Sequence, residues 1–254
     1  MLGDALFDFK LALSFLTRLP VRLGRRVEPQ ALAGSAPWFP LVGALIGLAG
    51  AAVYTLALRL GLTSFIAATL CLGALILVTG ALHEDGLGDV ADGFGGGRTR
   101  EDKLRIMRDP RLGTYGAIAL ALALLARLGA LSTIATPAAV GAALVASGAA
   151  SRAVLPLAMT LWPPAREDGL GAAAGRPAAL QAAGTGGLAL LLLLLLLDPM
   201  QAAIGASAAL AAGGAVGALA RRQIGGLTGD VLGAIQQAGE IALLLVVAAS
   251  APFA

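Results

Sequence analysis

The sequence has 254 residues, of which 58% are hydrophobic and only 13% charged, and its mean hydropathy is +0.85. This composition excludes an ordinary soluble domain and indicates a polytopic membrane protein. The net charge of +3 could suit nucleic acid, but the bases lie in loops between apolar runs without aromatic residues to stack on bases. We therefore expect the lipid bilayer, and not nucleic acid, to be the partner of this chain. The single cysteine, Cys71, excludes an intramolecular disulfide and a cysteine metal cage.

Apolar segments of about twenty residues follow one another along the chain and predict helices that cross a bilayer. Residues 3–18 are too short and too charged to cross, and they predict an interfacial helix. The segments that follow predict seven spans, at about 37–58, 62–82, 113–135, 138–162, a leucine run that ends at 197, 200–220, and a last span that ends at about 250. The prediction is an all-α polytopic membrane helical bundle that forms a single membrane-embedded domain over residues 1–254.

Two glycine pairs at GxxxG spacing lie inside predicted spans, Gly43 with Gly47 and Gly213 with Gly217. Such pairs allow two helix backbones to approach closely. The spacing leaves open whether they pack helices within one chain or form the contact of a homo-oligomer.

Basic residues predict the orientation in the membrane. With seven spans, fifteen of the eighteen bases fall on the same side as the N-terminus. Because basic loops stay in the cytoplasm, we predict a protein of the cell inner membrane whose N-terminus is cytoplasmic. Three polar segments, 83–116, 163–177 and 221–230, would then converge on one cavity that faces the cytoplasm.

The polar segment 83–116 holds seven of the fifteen acids and six of the eighteen bases. Its residues Asp85, Asp89 and Asp92 are spaced to share one helix face, and the glycines from Gly93 onward predict that this helix ends after Asp92. Three neighbouring carboxylates repel one another and suit Mg²⁺ or Mn²⁺, which prefer oxygen ligands. A metal bound here would bind phosphate oxygens, and the neighbouring arginines would bind others. This combination suits a reaction in which a nucleophile displaces a leaving group at a phosphorus of a polyphosphate. The alternative interpretation is a solvated charged loop.

Other polar residues near the predicted spans have two interpretations each. Asp230 begins the last span and would be a metal ligand, a general base or an ordinary helix cap. Glu240 lies deeper and is expected to pair with Arg127 or Arg152. His83 would be a general base, a hydrogen-bond donor to a phosphate, or a surface histidine with a structural hydrogen bond. A cation or proton-coupled transporter is the alternative function, although its acids should line a path through the midplane.

Six sequence blocks resemble one known family, the cobalamin synthases, formally adenosylcobinamide-GDP ribazoletransferases. The blocks occur in the family's order and at its usual spacing over essentially the whole chain. They are FLTRLPV at 15–21, HEDGLGDVADG at 83–93, RTREDKLRIMRDPRLGTYG at 98–116, Ser151-Arg152, AREDGLG at 165–171 and GGLTGDVLGA at 225–234.

The resemblance implies an integral membrane enzyme that uses Mg²⁺ and transfers a substituted phosphate group late in cobalamin biosynthesis. The adenosylcobinamide phosphate group of adenosylcobinamide-GDP would pass to the 5′-hydroxyl of α-ribazole or α-ribazole 5′-phosphate. The products would be adenosylcobalamin, or its 5′-phosphate, and GMP. We hypothesise that the membrane concentrates a corrinoid delivered by associated corrinoid enzymes.

The resemblance also implies roles for individual residues. Asp85, Asp89 and Asp92 would be the metal ligands, and Asp230 matches the acid of the family's TGD block. We take Asp230 and His83 as the candidate catalytic residues. The candidates that would bind the GDP moiety are Arg98, Arg105, Arg108 and Arg111.

The chain departs from the family's usual pattern at two positions. Glu84 stands where the family usually has an apolar residue, and it would be an extra ligand or face solvent. Gln237 stands where the family often has a glutamate, which argues against an acidic role at this position and leaves amide hydrogen bonding open.

Overall fold

The computed structural model describes residues 2–27, 31–167 and 175–250. Within these ranges the chain forms eleven α-helices and one short 3₁₀ segment, Ala36–Trp38, and no β-strand, which confirms the all-α prediction. The helices are α1 Leu2–Leu16, α2 Ala31–Ser35, α3 Phe39–Arg59, α4 Ser64–Thr79, α5 Leu82–Gly96, α6 Arg100–Ile106, α7 Thr114–Ile134, α8 Pro137–Leu161, α9 Ala179–Leu196, α10 Pro199–Ile224 and α11 Gly229–Ala249.

Six of the described helical segments are long and apolar enough to cross a membrane, and a bent pair of helices makes up to seven. This confirms a multi-pass membrane protein with six or seven spans. The bent pair is α4 and α5, which meet at 90°. The span predicted at 62–82 corresponds to α4, and the bend lies at its predicted end. Gly80 and Ala81 cause the bend because both have left-handed backbone conformations, with φ of 64° and 57°.

The ends of two helices differ from the prediction. α5 continues to Gly96 instead of ending after Asp92, since its glycines remain helical where they pack against α6 and Tyr115. α10 continues to Ile224, so the third polar loop is shorter than predicted. In the second polar loop, residues 168–174 lie outside the described ranges.

Both GxxxG pairs pack helices within the chain. At Gly43 and Gly47 a methyl group would overlap the main chain of α8, at Gly148 and Leu144. The backbones of α3 and α8 therefore lie in direct contact, as small residues in membrane helices allow. The second pair lies against side chains of α8, α11 and the residue after α8, namely Val154, Ile235 and Trp162.

The helix predicted near the N-terminus is present as α1, and it is not one of the candidate spans. α1 lies against α2, the 3₁₀ segment and α3, and two aromatic contacts join it to the 3₁₀ segment and to α3. The rings of Phe9 and Trp38 meet edge to face at 5.5 Å between centroids, and those of Phe15 and Phe39 stack at 6.1 Å. The two contacts fix α1 against the start of α3.

The three polar segments meet at one end of the bundle, as predicted. Leu227 joins the second and third segments: its N–H donates to Pro163 O at 2.8 Å, and its carbonyl accepts from the N–H of Ala165 at 2.7 Å. Arg100, from the first segment, donates to the carbonyls of Ile224, at 2.9 Å, and Ala165. The acids of α5 and the start of α11 are therefore held at the same end.

Candidate active site

The three aspartates of α5 differ in exposure along one helix face: Asp85 is exposed, Asp89 is half-buried and Asp92 is buried. The carboxylate of Asp92 accepts hydrogen bonds from the N–H groups of Gly113, at 2.7 Å, and Gly116, at 2.8 Å. These donors lie at the start of α7, where a negative charge also interacts favourably with the helix dipole. Asp92 thus fixes α7 to α5, a contact that the sequence did not reveal.

Asp230 joins the aspartates of α5 because α11 begins directly against Gly86. A methyl group at Gly86 would lie 2.6 Å from the carbonyl oxygen of Asp230. The charges of Asp85, Asp92 and Asp230 all act on the carboxylate of Asp89, which is the centre of the cluster. Four acids from two helices therefore form one negatively charged region.

The interpretation of Asp230 as the cap of α11 is wrong. Thr228 is the cap, since its hydroxyl accepts from the N–H of Val231 at 3.2 Å. The same hydroxyl donates to Asp230 at 3.1 Å, and the guanidinium of Arg166 lies 3.7 Å from the same carboxylate oxygen. Sequence reasoning missed Arg166 as a site residue, although it belongs to the block AREDGLG.

The four arginines predicted to bind a nucleotide diphosphate are all exposed on the segment that follows α5. The charge of Arg108 acts on Asp230, which places this arginine near the acid cluster. Arg111 makes two hydrogen bonds to Asp109, at 2.9 and 2.7 Å, and its guanidinium lowers the pKa of that carboxyl to about 2. The segment presents guanidinium groups suited to phosphate oxygens. Its predicted members are Arg98, Arg105, Arg108 and Arg111.

A cavity of about 140 Å³ opens beside the acid cluster, between α1, α2, α3, α5, α8 and α11. Asp85, Asp230 and His83 line it together with apolar side chains. His83 is 3% exposed, so its interpretation as a surface histidine is wrong. The structure therefore brings both candidate catalytic residues to the same cavity.

A buried network of charges lies beneath the acid cluster. Arg127 is 2% exposed and contacts Glu84 at 2.8 Å and Glu240 at 2.9 Å. Arg152, also 2% exposed, lies 3.7 Å from the other oxygen of Glu240. The prediction that Glu240 pairs with one of these arginines is confirmed, and it contacts both. Two arginines and two glutamates give this buried region no net charge.

Two glutamines complete the network. Gln237 accepts from Arg127 at 3.3 Å and donates to Glu84 at 3.2 Å. Gln236 donates to Glu240 at 2.6 Å and to the hydroxyl of Ser151 at 3.0 Å. Glu84 therefore binds an arginine inside the bundle instead of facing solvent, and Gln237 makes the amide hydrogen bonds expected of it.

The residues predicted to bind a metal do not form a complete set of ligands by themselves. No group of three or more His, Cys, Asp or Glu side chains is close enough to hold a metal ion within 2–27, 31–167 and 175–250. Mg²⁺ is, however, often held by one or two carboxylates together with substrate phosphates and water. The exposed and half-buried carboxylates of Asp85 and Asp89 suit that arrangement, whereas both oxygens of Asp92 bind α7. That Asp92 is a third ligand stays a prediction.

Residues 8–248 match the sequence family described as cobalamin-5-phosphate synthase. The chain belongs to this family. Among curated relatives, adenosylcobinamide-GDP ribazoletransferases from Bradyrhizobium diazoefficiens and Mesorhizobium japonicum are 50% and 49% identical to it. The alignments cover 97% and 94% of this chain and 95% and 92% of the relatives. A relative of the same name from Ralstonia nicotianae is 42% identical over 98% of this chain and 97% of its own length.

No solved structure matches the chain. The family assignment therefore depends on the sequence, and it agrees with the all-α membrane fold and with the resemblance of the six blocks. A cobalamin-5-phosphate synthase is an enzyme of cobalamin biosynthesis, and the transporter alternative has no support.

Proposed function

We propose that this chain transfers the adenosylcobinamide phosphate group from adenosylcobinamide-GDP to a free ribose hydroxyl of α-ribazole, or of α-ribazole 5′-phosphate, and releases GMP. The 5′-hydroxyl expected from the resemblance cannot be the acceptor in the phosphorylated substrate, because its oxygen already carries the phosphate. One observation supports this proposal most strongly. Asp85, Asp89 and Asp230 lie close together beside an exposed arginine-rich segment, in a chain that belongs to this family. In the reaction, a bond forms between the oxygen of this ribose hydroxyl and the phosphorus nearer the cobinamide. The bond from that phosphorus to the bridging oxygen breaks, and the bridging oxygen leaves with GMP.

We propose that the arginine-rich segment binds the negatively charged diphosphate. The exposed guanidinium groups of this segment would bind the phosphate oxygens of GDP, because arginine matches them with two parallel hydrogen bonds. Arg100 is not included, since its guanidinium already binds two main-chain carbonyls. Arg105 is included because its only described ion pair, to Asp102 at 3.4 Å, is exposed and therefore weak.

Mg²⁺ would be held by Asp85 and Asp89 together with the diphosphate. When bound, it would offset charge on the phosphate oxygens and on the leaving group. The carboxylates by themselves repel a diphosphate, so the acid cluster and the substrate are compatible only with a cation between them.

Asp230 is our choice for the base that takes the proton of the attacking hydroxyl. Asp230 lines the cavity, and its carboxylate accepts a hydrogen bond from the hydroxyl of Thr228. His83 lines the same cavity, and its imidazole would hydrogen-bond to the attacking hydroxyl or to a phosphate oxygen. The remaining network, centred on Arg127, would hold α5, α7 and α11 in register and so fix the positions of these groups.

We also propose that the site faces the cytoplasm, from the inner membrane. The N-terminal segment and the three polar segments carry most of the basic residues, and they lie at the end of the bundle where the acids meet.

The experiment that tests this function measures GMP release by membranes that contain the protein, with adenosylcobinamide-GDP and α-ribazole, in Mg²⁺ and after chelation. We expect GMP only when Mg²⁺ and both substrates are present. Asp89→Asn should lower the rate by about 10²-fold or more, because the metal loses a charged ligand. Glu101→Gln is the matched control, since this acid is exposed in the same segment. Equal rates with and without the metal, or no turnover by wild-type membranes, would contradict the proposal.

A further inference from the structure

The cavity beside Asp85 and Asp230 has one apolar side and one polar side, and the function proposed above does not use the apolar side. We propose that this apolar side binds the planar aromatic base of the nucleoside that supplies the attacking hydroxyl. The inference depends on the proposed function and extends it by assigning a binding site to the second substrate.

The apolar side is built from aromatic and aliphatic side chains on four helices. Phe15 of α1 and Phe39 of α3 are stacked with an interplanar angle of 20°. Phe39 is 2% exposed and Phe15 is partly exposed, so a third ring would extend this arrangement on Phe15. Aromatic pairs are favourable at centroid separations of about 4.5–7 Å. Three aliphatic or thioether side chains complete the surface, namely Leu32, Leu155 and Met159.

The polar side carries the groups that a nucleoside hydroxyl requires. Asp85, Asp230 and His83 line this side; carboxylates accept hydrogen bonds from hydroxyl groups, and an imidazole can donate or accept one. A base held against Phe15 would direct its ribose toward these residues. Binding pockets commonly combine an apolar wall with a few polar groups that fix orientation in this manner.

The charges of the cavity distinguish the nucleoside from the other substrate. Among the described residues, no lysine or arginine lines the cavity, whereas two carboxylates do. The diphosphate therefore belongs with the arginines that follow α5. The guanine of GDP is also a poor occupant, because its several polar edge atoms would lose water against the apolar side without gaining partners. The dimethylated benzimidazole of α-ribazole has an apolar edge and avoids this cost.

The chain offers a matched pair of variants on one helix. Phe15 and Phe9 are both partly buried in α1, but Phe15 lines the cavity and Phe9 packs against Trp38. We would measure KM for each substrate, and the thermal stabilisation of the purified full chain by α-ribazole alone, in Phe15→Ala and Phe9→Ala.

Phe15→Ala should raise KM for α-ribazole about tenfold, because a lost aromatic contact of about 1.4 kcal/mol corresponds to that factor. It should leave KM for adenosylcobinamide-GDP unchanged within error and abolish stabilisation by α-ribazole. Phe9→Ala should change none of these, and Phe15→Leu gives the same comparison if the alanine variant is not folded.

Two results would overturn the inference. One is an equal effect of Phe15→Ala on both substrates, and the other is no difference between the Phe15 and Phe9 variants. In both cases wild-type turnover shows that the proposed function holds. Absence of wild-type GMP release would instead refute the function itself, so the two failures are distinguishable.

Discussion

The buried ion network makes a quantitative prediction about positions 84 and 237, which lie on facing helices and contact the same guanidinium. Glu84→Gln would leave two buried arginines with one glutamate, and so one uncompensated positive charge inside the bundle. Removing one partner of a buried ion pair destabilises a protein by about 3–5 kcal/mol. We expect about 3 kcal/mol here, because Arg127 retains Glu240 at 2.9 Å. For a chain of this length that corresponds to a loss of about 6–12 °C in Tm.

A second substitution should restore the lost stability. Gln237 accepts from Arg127 at 3.3 Å, so Gln237→Glu would place a carboxylate beside the same guanidinium. In the wild-type background this new charge would lie next to Glu84, whose oxygen is 3.2 Å from the amide nitrogen of Gln237, and it should destabilise. In the Glu84→Gln background it should return the Tm to within about 3 °C of wild type, since the net charge is again zero.

The assay is thermal unfolding of the four proteins of this double-mutant cycle in detergent. The interaction energy between the two positions should exceed about 2 kcal/mol, because the residues share one partner. Additive effects of the two substitutions, or a Glu84→Gln variant as stable as wild type, would refute the reasoning about the network.

Three further predictions concern other contacts. Asp92→Asn should lower Tm by several degrees, because an amide oxygen can replace only one of the two carboxylate oxygens that accept from the start of α7, a loss of about 1–3 kcal/mol. Gly47→Leu should abolish folded protein in a detergent gel-filtration assay because it separates α3 from α8, whereas Gly129→Leu, with nothing within 4 Å, should leave the elution profile unchanged. Arg105→Ala should raise KM for adenosylcobinamide-GDP about tenfold without changing Tm, because it removes a guanidinium that would bind phosphate. Arg100→Ala should instead lower Tm, because of the two residues only Arg100 binds main-chain carbonyls of two other segments.

The spans and the acid cluster were predictable from the sequence for physical reasons. The thickness of a bilayer fixes the length of an apolar helix, so predicted and observed bounds of α7 and α8 agree closely. The 3.6-residue period of a helix is sufficient to place Asp85 and Asp89 on one face. Glu240 was paired correctly, because an acid at that depth requires a nearby cation.

The features that were missed depend on contacts between distant residues. Glu84 and Gln237 are 153 positions apart, and no periodicity indicates that they meet at Arg127. Asp92 was grouped with its neighbours because spacing does not show that its oxygens bind the start of α7. The bend after Gly80 was missed because the chain has 35 glycines, and among those that the structure describes few have a left-handed conformation.

The most direct test of the central claim follows the oxygen of the attacking hydroxyl. Full-length protein in membranes would be supplied with adenosylcobinamide-GDP, Mg²⁺ and α-ribazole labelled with ¹⁸O at its ribose hydroxyls, and both products analysed by mass spectrometry. Attack at the phosphorus nearer the cobinamide predicts that the label stays in the new phosphodiester of the corrinoid product and that GMP is unlabelled. Label recovered with guanosine, or GMP released without a labelled corrinoid, would contradict it.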